Sequence, residues 1–392
     1  MRLPFSYSWR NVRARPLRSA LTASVIALVV LACTLLLGLI TSMRRTFTST
    51  GHPLNLVVLR KGSDNDGSSM LPVESYQAIR FLDGIARNGD DQPLVSPEVV
   101  VQPFFRTREG GRENVLVRGV EPVALEVHDQ VRVTEGRMFR PSSGEAIVGR
   151  GVTGRYQGAE LGGAIEFGRG KWKVVGLFDA EGTSFESEVW VDVRELANDA
   201  KRPLPFSGFR VRTANVAERE RIERRIDDDP RWALDAEPEI DYYAELASTG
   251  TTLYVIVVAV AVLAGIGASF GAANTMYAAV QTRTAEIGTL RALGFPRGAI
   301  LWAFQAEAVV LALIGFAIGA VASVAAAWIL SNALGGFAVG AATFTTSVVV
   351  LEVDARSLAA ALFLAIAIGI AAGLGPAWRA ARLRPIEALR KA

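Results

Sequence analysis

Histidine and cysteine are rare in this chain, and their positions suit neither catalysis nor metal binding. The two histidines, His52 and His128, lie far apart, and the one cysteine, Cys33, sits in an apolar run. An apolar run is the typical setting of a cysteine that packs in a core. A single cysteine also excludes an intrachain disulfide or a multi-cysteine metal site. Asp227–Asp229 ends a charged helical pattern just before Pro230, which favours a solvated helix end over a divalent-cation site. The sequence therefore predicts no catalytic residue, no metal site and no cofactor.

The sequence also lacks the patterns of nucleotide and hydrolase chemistry. No GxxxxGKS/T loop occurs, so no P-loop is predicted, and HExxH is absent too. We therefore predict that the chain is not an enzyme. One acid, Glu307, lies inside a long apolar run, where a carboxylate is a candidate intramembrane polar site. Its place near one end of that run favours a structural role, such as a hydrogen bond to a neighbouring helix or loop.

The most informative stretch is a polar segment between two apolar ones, AVQTRTAEIGTLRALGFPRGA at 279–299. Its apolar residues recur at roughly helical spacing. Gly294 followed by Pro296 is a helix-stop signal, because glycine tolerates the left-handed cap and proline cannot continue a helix. The segment predicts a short amphipathic helix that lies on a membrane face and is ready to meet a soluble partner.

Membrane helices are predicted on both sides of this segment. Half of the 392 residues are hydrophobic and the mean hydropathy is +0.28, which is too apolar for an ordinary soluble chain. A helix of about 20 apolar residues crosses the hydrocarbon core. The predicted spans are 19–43, 252–277, 300–330 and 357–378. The first is too long for the apolar part of a cleaved signal peptide, so we predict an uncleaved anchor helix.

The distribution of charge predicts the orientation of these spans. Basic residues crowd the short segments 1–18, 279–299 and 379–392, whereas the long segment 44–250 is mildly acidic. By the positive-inside rule, the short basic segments and both chain termini are cytoplasmic. Segment 44–250 and the loop 331–356 then lie on the outer side. The net basic charge reflects this topology and does not indicate nucleic-acid binding.

The segment 44–250 reads as an α+β domain. Helical spacing predicts helices over 73–85 and 216–226. Short apolar runs broken by glycine, proline and charge predict strands at 54–59, 99–105, 115–120, 146–148, 172–178 and 189–193. The predicted fold is therefore a membrane protein with four transmembrane α-helices and a large α+β extracytoplasmic domain inserted between helices 1 and 2.

Three stretches of the sequence resemble the MacB/FtsX-like permease subunits of ABC transporters, the family of MacB and the lipoprotein-release permeases LolC and LolE. WRNVRARPLRSALTA at 9–23 is similar to the amphipathic elbow that runs into the family's first span. TRTAEIGTLRALGFPRGAILWAFQAEAVVLALIG at 282–315 is similar to its R-x-x-E-I-G-x-x-R-A-x-G pattern and the E-A pair that follows. GPAWRAARLRPIEALRKA at 375–392 resembles its ending, P-A-x-x-A-A-x-x-x-P-I-E-A-L-R. The resemblance spans the chain and is more specific in the membrane half than in 44–250.

The resemblance implies a division of labour between subunits. The chain has no fused ATPase domain, so two copies of a separate cytoplasmic ABC ATPase would hydrolyse ATP. Segment 1–18 would be a cytoplasmic elbow, 379–392 a cytoplasmic tail, and 279–299 the cytoplasmic coupling helix. In that helix Glu286 and Arg291 can make polar contacts, while Ile287, Leu290 and Leu293 pack. The expected ATPase-coupling residues are Arg283, Glu286, Ile287, Gly288, Leu290, Arg291, Leu293 and Gly294.

The resemblance also implies a location, further partners and a function. The location is the bacterial inner membrane. The further partners are a second permease chain, in a homo- or heterodimer, a periplasmic adaptor or carrier protein, and membrane lipids, without nucleic acid. The function is the export or extraction of an amphiphile, a peptide or a lipoprotein, driven by ATP hydrolysis in the partner subunit.

Two other functions remain open on the sequence. An FtsX-like signalling subunit would use the same motion to activate an extracytoplasmic hydrolase without transport, but such relatives usually have a much smaller outer domain than 44–250. A membrane-anchored enzyme or sensor unrelated to ATP would not need the pattern at 284–294, and no catalytic constellation supports it. We favour the transporter permease, an inference that rests partly on family analogy.

Overall fold

A computed structural model of the chain describes residues 16–333, 337–340 and 346–384. The predicted elbow up to residue 15 and the tail from residue 385 lie outside the described residues. The chain divides into two compact units. The first, which we call the helical unit, comprises Met1–Ile40, Thr252–Leu330 and Leu351–Ala392. The second, which we call the sheet unit, comprises Thr41–Thr251 and Ser331–Val350.

The helices and strands follow the predicted order. The helices are α1 (Pro16–Thr48), α2 (Val73–Ile79), α3 (Ala124–Val127), α4 (Arg150–Thr153), α5 (Val193–Asp199), α6 (Val216–Asp227), α7 (Glu239–Thr282), α8 (Thr284–Ala292), α9 (Arg297–Trp328) and α10 (Ala355–Arg382). The strands are β1 (Asn55–Arg60), β2 (Val95–Val101), β3 (Phe104–Arg106), β4 (Arg112–Asn114), β5 (Leu116–Val120), β6 (Arg132–Gly136), β7 (Glu145–Gly149), β8 (Ala164–Phe167), β9 (Gly170–Asp179), β10 (Glu188–Asp192), β11 (Gly208–Arg212), β12 (Leu234–Pro238), β13 (Phe337–Gly340) and β14 (Thr346–Val349).

Four helices, α1, α7, α9 and α10, are long and apolar enough to cross a membrane. They contain nearly all of the predicted spans. The second of them starts before its predicted span, because α7 begins at Glu239 in polar sequence. Its first turn carries Glu239 and Asp241, which suit the positive end of a helix dipole. A π-helical turn, Ile329–Ala333, follows the end of α9.

Close packing in the helical unit depends on glycines of α9 and α10. A methyl group added at Gly315 or Gly319 of α9 would lie 2.8 or 2.6 Å from a backbone oxygen of α1. At Gly369 and Gly373 of α10, an added methyl group would lie 2.8 Å from an alanine side chain of α9. Small residues let helix backbones approach in this way. The α9 helix therefore packs closely against both α1 and α10.

The corresponding glycines of α7 are not used in this way. A methyl group added at Gly267 or Gly271 meets no atom within 4 Å. The α7 helix is joined to α1 by a hydrogen bond between the hydroxyls of Thr22 and Thr275, at 2.9 Å. It is also the least buried of the four long helices.

The sheet unit is built on a ten-stranded mixed sheet, in the order β12-β1-β11-β2-β5-β10-β7-β9-β6 with β8 paired to β9. The β5–β10 and β7–β9 pairs are parallel and the others are antiparallel. Alternate residues of β1 enter different apolar clusters, Leu56 and Val58 one and Val57 and Leu59 the other. Since successive side chains of a strand point to opposite faces, both faces of this sheet are covered. For that reason the predicted strands are mostly apolar and do not alternate strictly between apolar and polar residues.

In the sheet unit, one predicted strand is divided and one predicted helix is shorter than predicted. The predicted strand 99–105 is divided between β2 and β3, which flank Pro103, a residue that cannot donate to a strand ladder. The predicted helix 73–85 ends at Ile79, and the chain then turns through Gly84, whose φ is +93°. Leu82 and Ile85 enter the core from this turn instead of from a helix.

The glycine contacts of α9 make a testable prediction about stability. Gly319→Ala places a methyl group 2.6 Å from the carbonyl oxygen of Ala27 and 2.8 Å from the side chain of Val30. We expect this substitution to destabilise the protein by about 1–3 kcal/mol, the usual effect of overpacking, and to lower the Tm of the detergent-solubilised protein in tryptophan fluorescence. Gly267→Ala is the matched control and should leave the Tm unchanged. Equal losses in the two variants would contradict the packing described above.

Candidate coupling site

The short helix α8 is separated from α7 by one residue, Arg283, whose φ of −114° and ψ of 16° are not helical. The threonines on either side explain the break. The hydroxyl of Thr282 donates to the carbonyl oxygen of Ala279 at 3.0 Å, and that of Thr284 donates to that of Gln281 at 2.8 Å. Threonine hydroxyls that bond to carbonyls in the preceding turn bend helices. The predicted segment 279–299 therefore contains the end of α7, all of α8 and the start of α9.

One face of α8 is attached to the rest of the helical unit. Ile287 is only 1% exposed and belongs to an apolar cluster with Met276 of α7 and with Ile300 and Phe304 of α9. The neighbouring Gly288 is buried as well. Arg283 lies one helical turn before Ile287 and therefore on the same side. This buried face is an anchor within the chain and not a surface for a soluble partner.

Arg283 makes a buried ion pair with Glu307 of α9. Its Nη1 donates to Oε2 of Glu307 at 2.9 Å and to Oε1 at 3.3 Å. The two residues are 4% and 6% exposed. Removing one partner of such a pair typically costs about 3–5 kcal/mol, because the other charge is left buried without compensation. Glu307 therefore has a structural role, because it binds the residue that joins α7 to α8.

The opposite face of α8 is open. Glu286 and Thr289 are exposed, and Leu293 is 69% exposed. Leu293 points away from the cluster around Ile287, because six residues at about 100° each carry it some 120° around the helix. Leu290 is half-buried between the two faces. Of the apolar residues expected to pack, Ile287 does so inside the chain and Leu293 is presented outward.

The C-terminal end of α8 is closed by Gly294, whose φ is +91°. The Gly294 N–H donates to the carbonyl oxygen of Arg291, and the Phe295 N–H donates to that of Leu290, both at 3.2 Å. This is a Schellman cap, and it agrees with the predicted stop signal. Arg291 is half-buried, and its Nη1 donates to the carbonyl oxygen of Phe295 at 3.0 Å. Arg291 therefore braces the end of its own helix, whereas the sequence suggested that it faces outward.

The structure thus sorts the predicted coupling residues into buried, exposed and half-buried ones, the last being Leu290 and Arg291. Arg283, Ile287 and Gly288 are buried, and Glu307 lies with them. Glu286, Leu293 and Gly294 are exposed. Their role in coupling stays a prediction. Among the described residues, no group of three or more metal-ligating side chains occurs.

A second charged group, in the sheet unit, was missed by the sequence reasoning. Arg118 of β5 donates from Nε and Nη2 to Glu188 of β10 at 2.7 and 2.6 Å, and from Nη1 to Glu98 of β2 at 2.7 Å. His128 is buried, and its Nε2 lies 2.8 Å from Oε1 of Glu98. A charged residue within an apolar strand run, as in VSPEVVV or LVRGV, was the available signal.

The same network reaches the first turns of α7. Arg210 of β11 donates to both carboxylate oxygens of Asp66, at 3.1 and 2.7 Å, and the Tyr242 hydroxyl donates to Asp66 at 3.0 Å. Glu239 accepts hydrogen bonds from the Asn55 side chain at 2.8 Å and from the His52 N–H at 3.0 Å. The start of α7 is therefore bonded to the sheet through buried polar groups.

Two carboxylates of this network, Glu98 and Asp66, are held in their ionised form. Burial alone would raise the pKa of Glu98, but the interactions with Arg118, His128 and Arg210 together outweigh burial and leave that pKa well below its usual range. The pKa of Asp66 is likewise lowered, because the charge and hydrogen bonds of Arg210 outweigh burial. The Arg118–Glu98 and Arg210–Asp66 contacts are therefore ion pairs at neutral pH.

The fold and the site together define an integral membrane protein that carries a large α+β domain between the first and second of four apolar helices. The family model for the MacB-like periplasmic core domain matches residues 19–229, and the model for the FtsX-like permease C-terminal domain matches residues 257–385. The chain belongs to the MacB/FtsX-like family of ABC transporter permeases.

Individual relatives are more distant. The chain is 26% identical over 341 residues to the macrolide export ATP-binding/permease protein MacB of Hahella chejuensis, covering 81% of this chain and 48% of that protein. It is 26% identical over 357 residues to the protein of that name from Rhodopseudomonas palustris, covering 83% and 51%. The crystal structure of the periplasmic region of MacB from Actinobacillus actinomycetemcomitans is similar over 49% of this chain and 91% of that chain, with 9% identity and a TM-score of 0.37. The chain spans about half the length of the curated relatives it matches.

The cap of α8 makes a second prediction. A side chain at Gly294 meets no atom within 4 Å, so Gly294→Val tests backbone strain alone. A left-handed conformation costs a non-glycine residue about 1–2 kcal/mol, and this should loosen the end of α8. We expect trypsin to cleave the solubilised protein after Arg291 or Arg297 about 5- to 30-fold faster. Gly298→Val, in the first turn of α9 and equally open, is the control. The cap assignment fails if both variants are cleaved at the wild-type rate.

Proposed function

We propose that this chain is the permease subunit of an ABC transporter in which α8 is the coupling helix. A separate cytoplasmic ATPase, in two copies, binds the exposed face of α8 and hydrolyses ATP. The resulting movement reaches the α+β domain on the outer side of the bacterial inner membrane. That domain acts in a dimer with a second permease chain and drives export or extraction of an amphiphile, a peptide or a lipoprotein. This chain itself is not enzymatic.

The observation that carries this proposal is the two-sided construction of α8. Its inner face is held by Ile287 and by the Arg283–Glu307 pair, so the helix can bear load. Its outer face presents an acid, Glu286, and about two turns further along an apolar side chain, Leu293. Burying a leucine side chain in a partner is worth about 1.5–3 kcal/mol. A surface that combines a charge with an exposed leucine suits a soluble protein partner better than lipid or water alone.

A second candidate function, mechanical activation of an extracytoplasmic hydrolase without transport, uses the same site. The size of the sheet unit, which includes Thr41–Thr251, favours transport over that alternative. The names of the relatives, macrolide export proteins with an ATP-binding part, support a coupled ATPase and an exported small molecule or peptide. A periplasmic adaptor or carrier protein is proposed as the partner that receives the substrate.

Topology can be tested with engineered cysteines in a Cys33→Ala background. Asp64→Cys lies in an exposed loop of the sheet unit, and Thr289→Cys lies on the exposed face of α8. With 44–250 outside, a membrane-impermeant thiol reagent should label Asp64→Cys in cells with a permeabilised outer membrane, and Thr289→Cys only after lysis. Labelling of Thr289→Cys before lysis would reverse the proposed orientation.

The coupling role can be tested by altering only exposed side chains of α8. The double variant Glu286→Lys/Leu293→Asp reverses a charge and places a second charge where an apolar contact is proposed. We expect about tenfold or greater loss of ATPase binding in pull-down, since a few central residues dominate such interfaces. The Tm of the permease should not change, because neither side chain packs within the chain.

A charge reversal elsewhere in the helical unit is the matched control. Arg356→Glu changes an exposed residue in the first turn of α10 and should leave ATPase binding at the wild-type level. Wild-type binding by the Glu286→Lys/Leu293→Asp variant would rule out α8 as the contact surface.

A further inference from the structure

The contacts of Arg283 point to the helix that receives movement from α8. We infer that this helix is α9, the third span, and that the Arg283–Glu307 ion pair makes the connection. The inference rests on the proposed function of α8 as the coupling helix. It assigns Arg283 and Glu307 as positioning residues, which act through α8 and do not touch the ATPase.

The joint between α7 and α8 is poorly suited to carry load. The two helices are separated at Arg283 by a non-helical residue, and the flanking threonines draw their hydroxyls back to α7 carbonyls. A break in the helix hydrogen bonds allows α8 to change its angle to α7. Movement of α8 would then only change the angle at this joint. It would reach another helix only if a further contact carried it.

The ion pair supplies that contact, and it is specific to α9. The Ile287 cluster contains residues of α7, α9 and α10 and so does not favour one helix. The charge of Arg283, by contrast, is bonded to Glu307 across 24 residues of sequence. Separating two buried charges leaves both uncompensated, so the pair resists being pulled apart. When α8 tilts, α9 is expected to move with it.

The α9 helix is also the element best placed to pass movement on. Gln305 lies two residues before Glu307, about 200° around the helix, and therefore faces a different neighbour. Its Nε2 donates to the carbonyl oxygens of Gly369 and Ile370 of α10 at 3.4 and 3.2 Å. Further along, Gly315 and Gly319 pack against the backbone of α1. Glu307 thus links α9 to the joint before α8, and Gln305 links α9 to α10. Glycine contacts link α9 to α1.

The first experiment measures the geometry of the permease alone, in a Cys33→Ala background. Spin labels at exposed Thr289 of α8 and Ile318 of α9 report the α8–α9 distance by pulsed electron paramagnetic resonance. Labels at Phe270 of α7 and Ile318 report the α7–α9 distance. Glu307→Gln should shift or broaden the α8–α9 distribution and leave the α7–α9 distribution unchanged. The charge-swapped variant Arg283→Glu/Glu307→Arg should restore the narrow α8–α9 distribution.

Two further variants keep the test decisive. Glu307→Asp retains the charge on a shorter side chain, and it should fold and give an intermediate broadening. Arg297→Gln removes a nearby exposed arginine and should have no effect. An α8–α9 distribution that stays at the wild-type width in both Glu307→Gln and Glu307→Asp would overturn the inference.

The second experiment separates this inference from the proposed function. In complexes with the ATPase, Glu307→Gln should retain ATPase binding in pull-down but lose most of the permease-dependent change in ATP hydrolysis, and the charge swap should recover it. Loss of binding in Glu307→Gln would contradict a positioning role. If α8 is not the coupling helix, the exposed-face variant Glu286→Lys/Leu293→Asp will bind ATPase normally, while the distance measurement still tests the ion pair.

Discussion

Charges that lie out of reach of water must find partners inside the protein, and this requirement shapes both units of the chain. In the helical unit it joins Arg283 to Glu307, which brings the joint before α8 against α9. In the sheet unit it gathers Arg118, Glu98 and Glu188 from three strands. Each arrangement tolerates little change, because a buried charge that loses its partner costs several kcal/mol. The joint before α8 and the strands β2, β5 and β10 are thereby held in a fixed arrangement.

Each of the two arrangements lies where the proposed function needs a rigid attachment. One fixes α8, where an ATPase is proposed to bind, and the other bonds Glu239 and Tyr242 at the start of α7 to the sheet. A transporter that moves an outer domain from an inner surface needs rigid attachments at both places, because a loose contact would absorb the motion. Buried ion pairs provide such attachments without a large apolar interface. An ion pair also joins two particular residues and so specifies which elements are connected. An apolar cluster such as the one around Ile287 does not specify this.

Helix packing in lipid adds a second constraint, since no hydrophobic effect drives helices together there. The glycines of α9 and α10 allow close approach and make α9 the helix on which α1 and α10 pack. The α7 helix makes fewer close contacts, and its Gly267 and Gly271 remain open in this chain. The combination of one well-packed helix and one loosely packed helix fits a permease in which the helices do not all move together.

The sequence alone determined the features that depend on neighbouring residues. Long apolar runs indicated four candidate spans, strand runs such as 189–193 were rich in β-branched valine, and Gly294 before Pro296 indicated the end of α8. The resemblance in 282–315 also located the candidate site, because that motif is contiguous. Tertiary structure decided the rest. Arg283 and Arg291 look like outward-facing basic residues of a loop, yet one is buried against Glu307 and the other braces its own helix end. Three pairs of glycines share the same spacing, but only those of α9 and α10 are used for close packing. Hydropathy and periodicity report the local environment of a residue, whereas the choice of partner depends on which distant helix or strand is packed beside it.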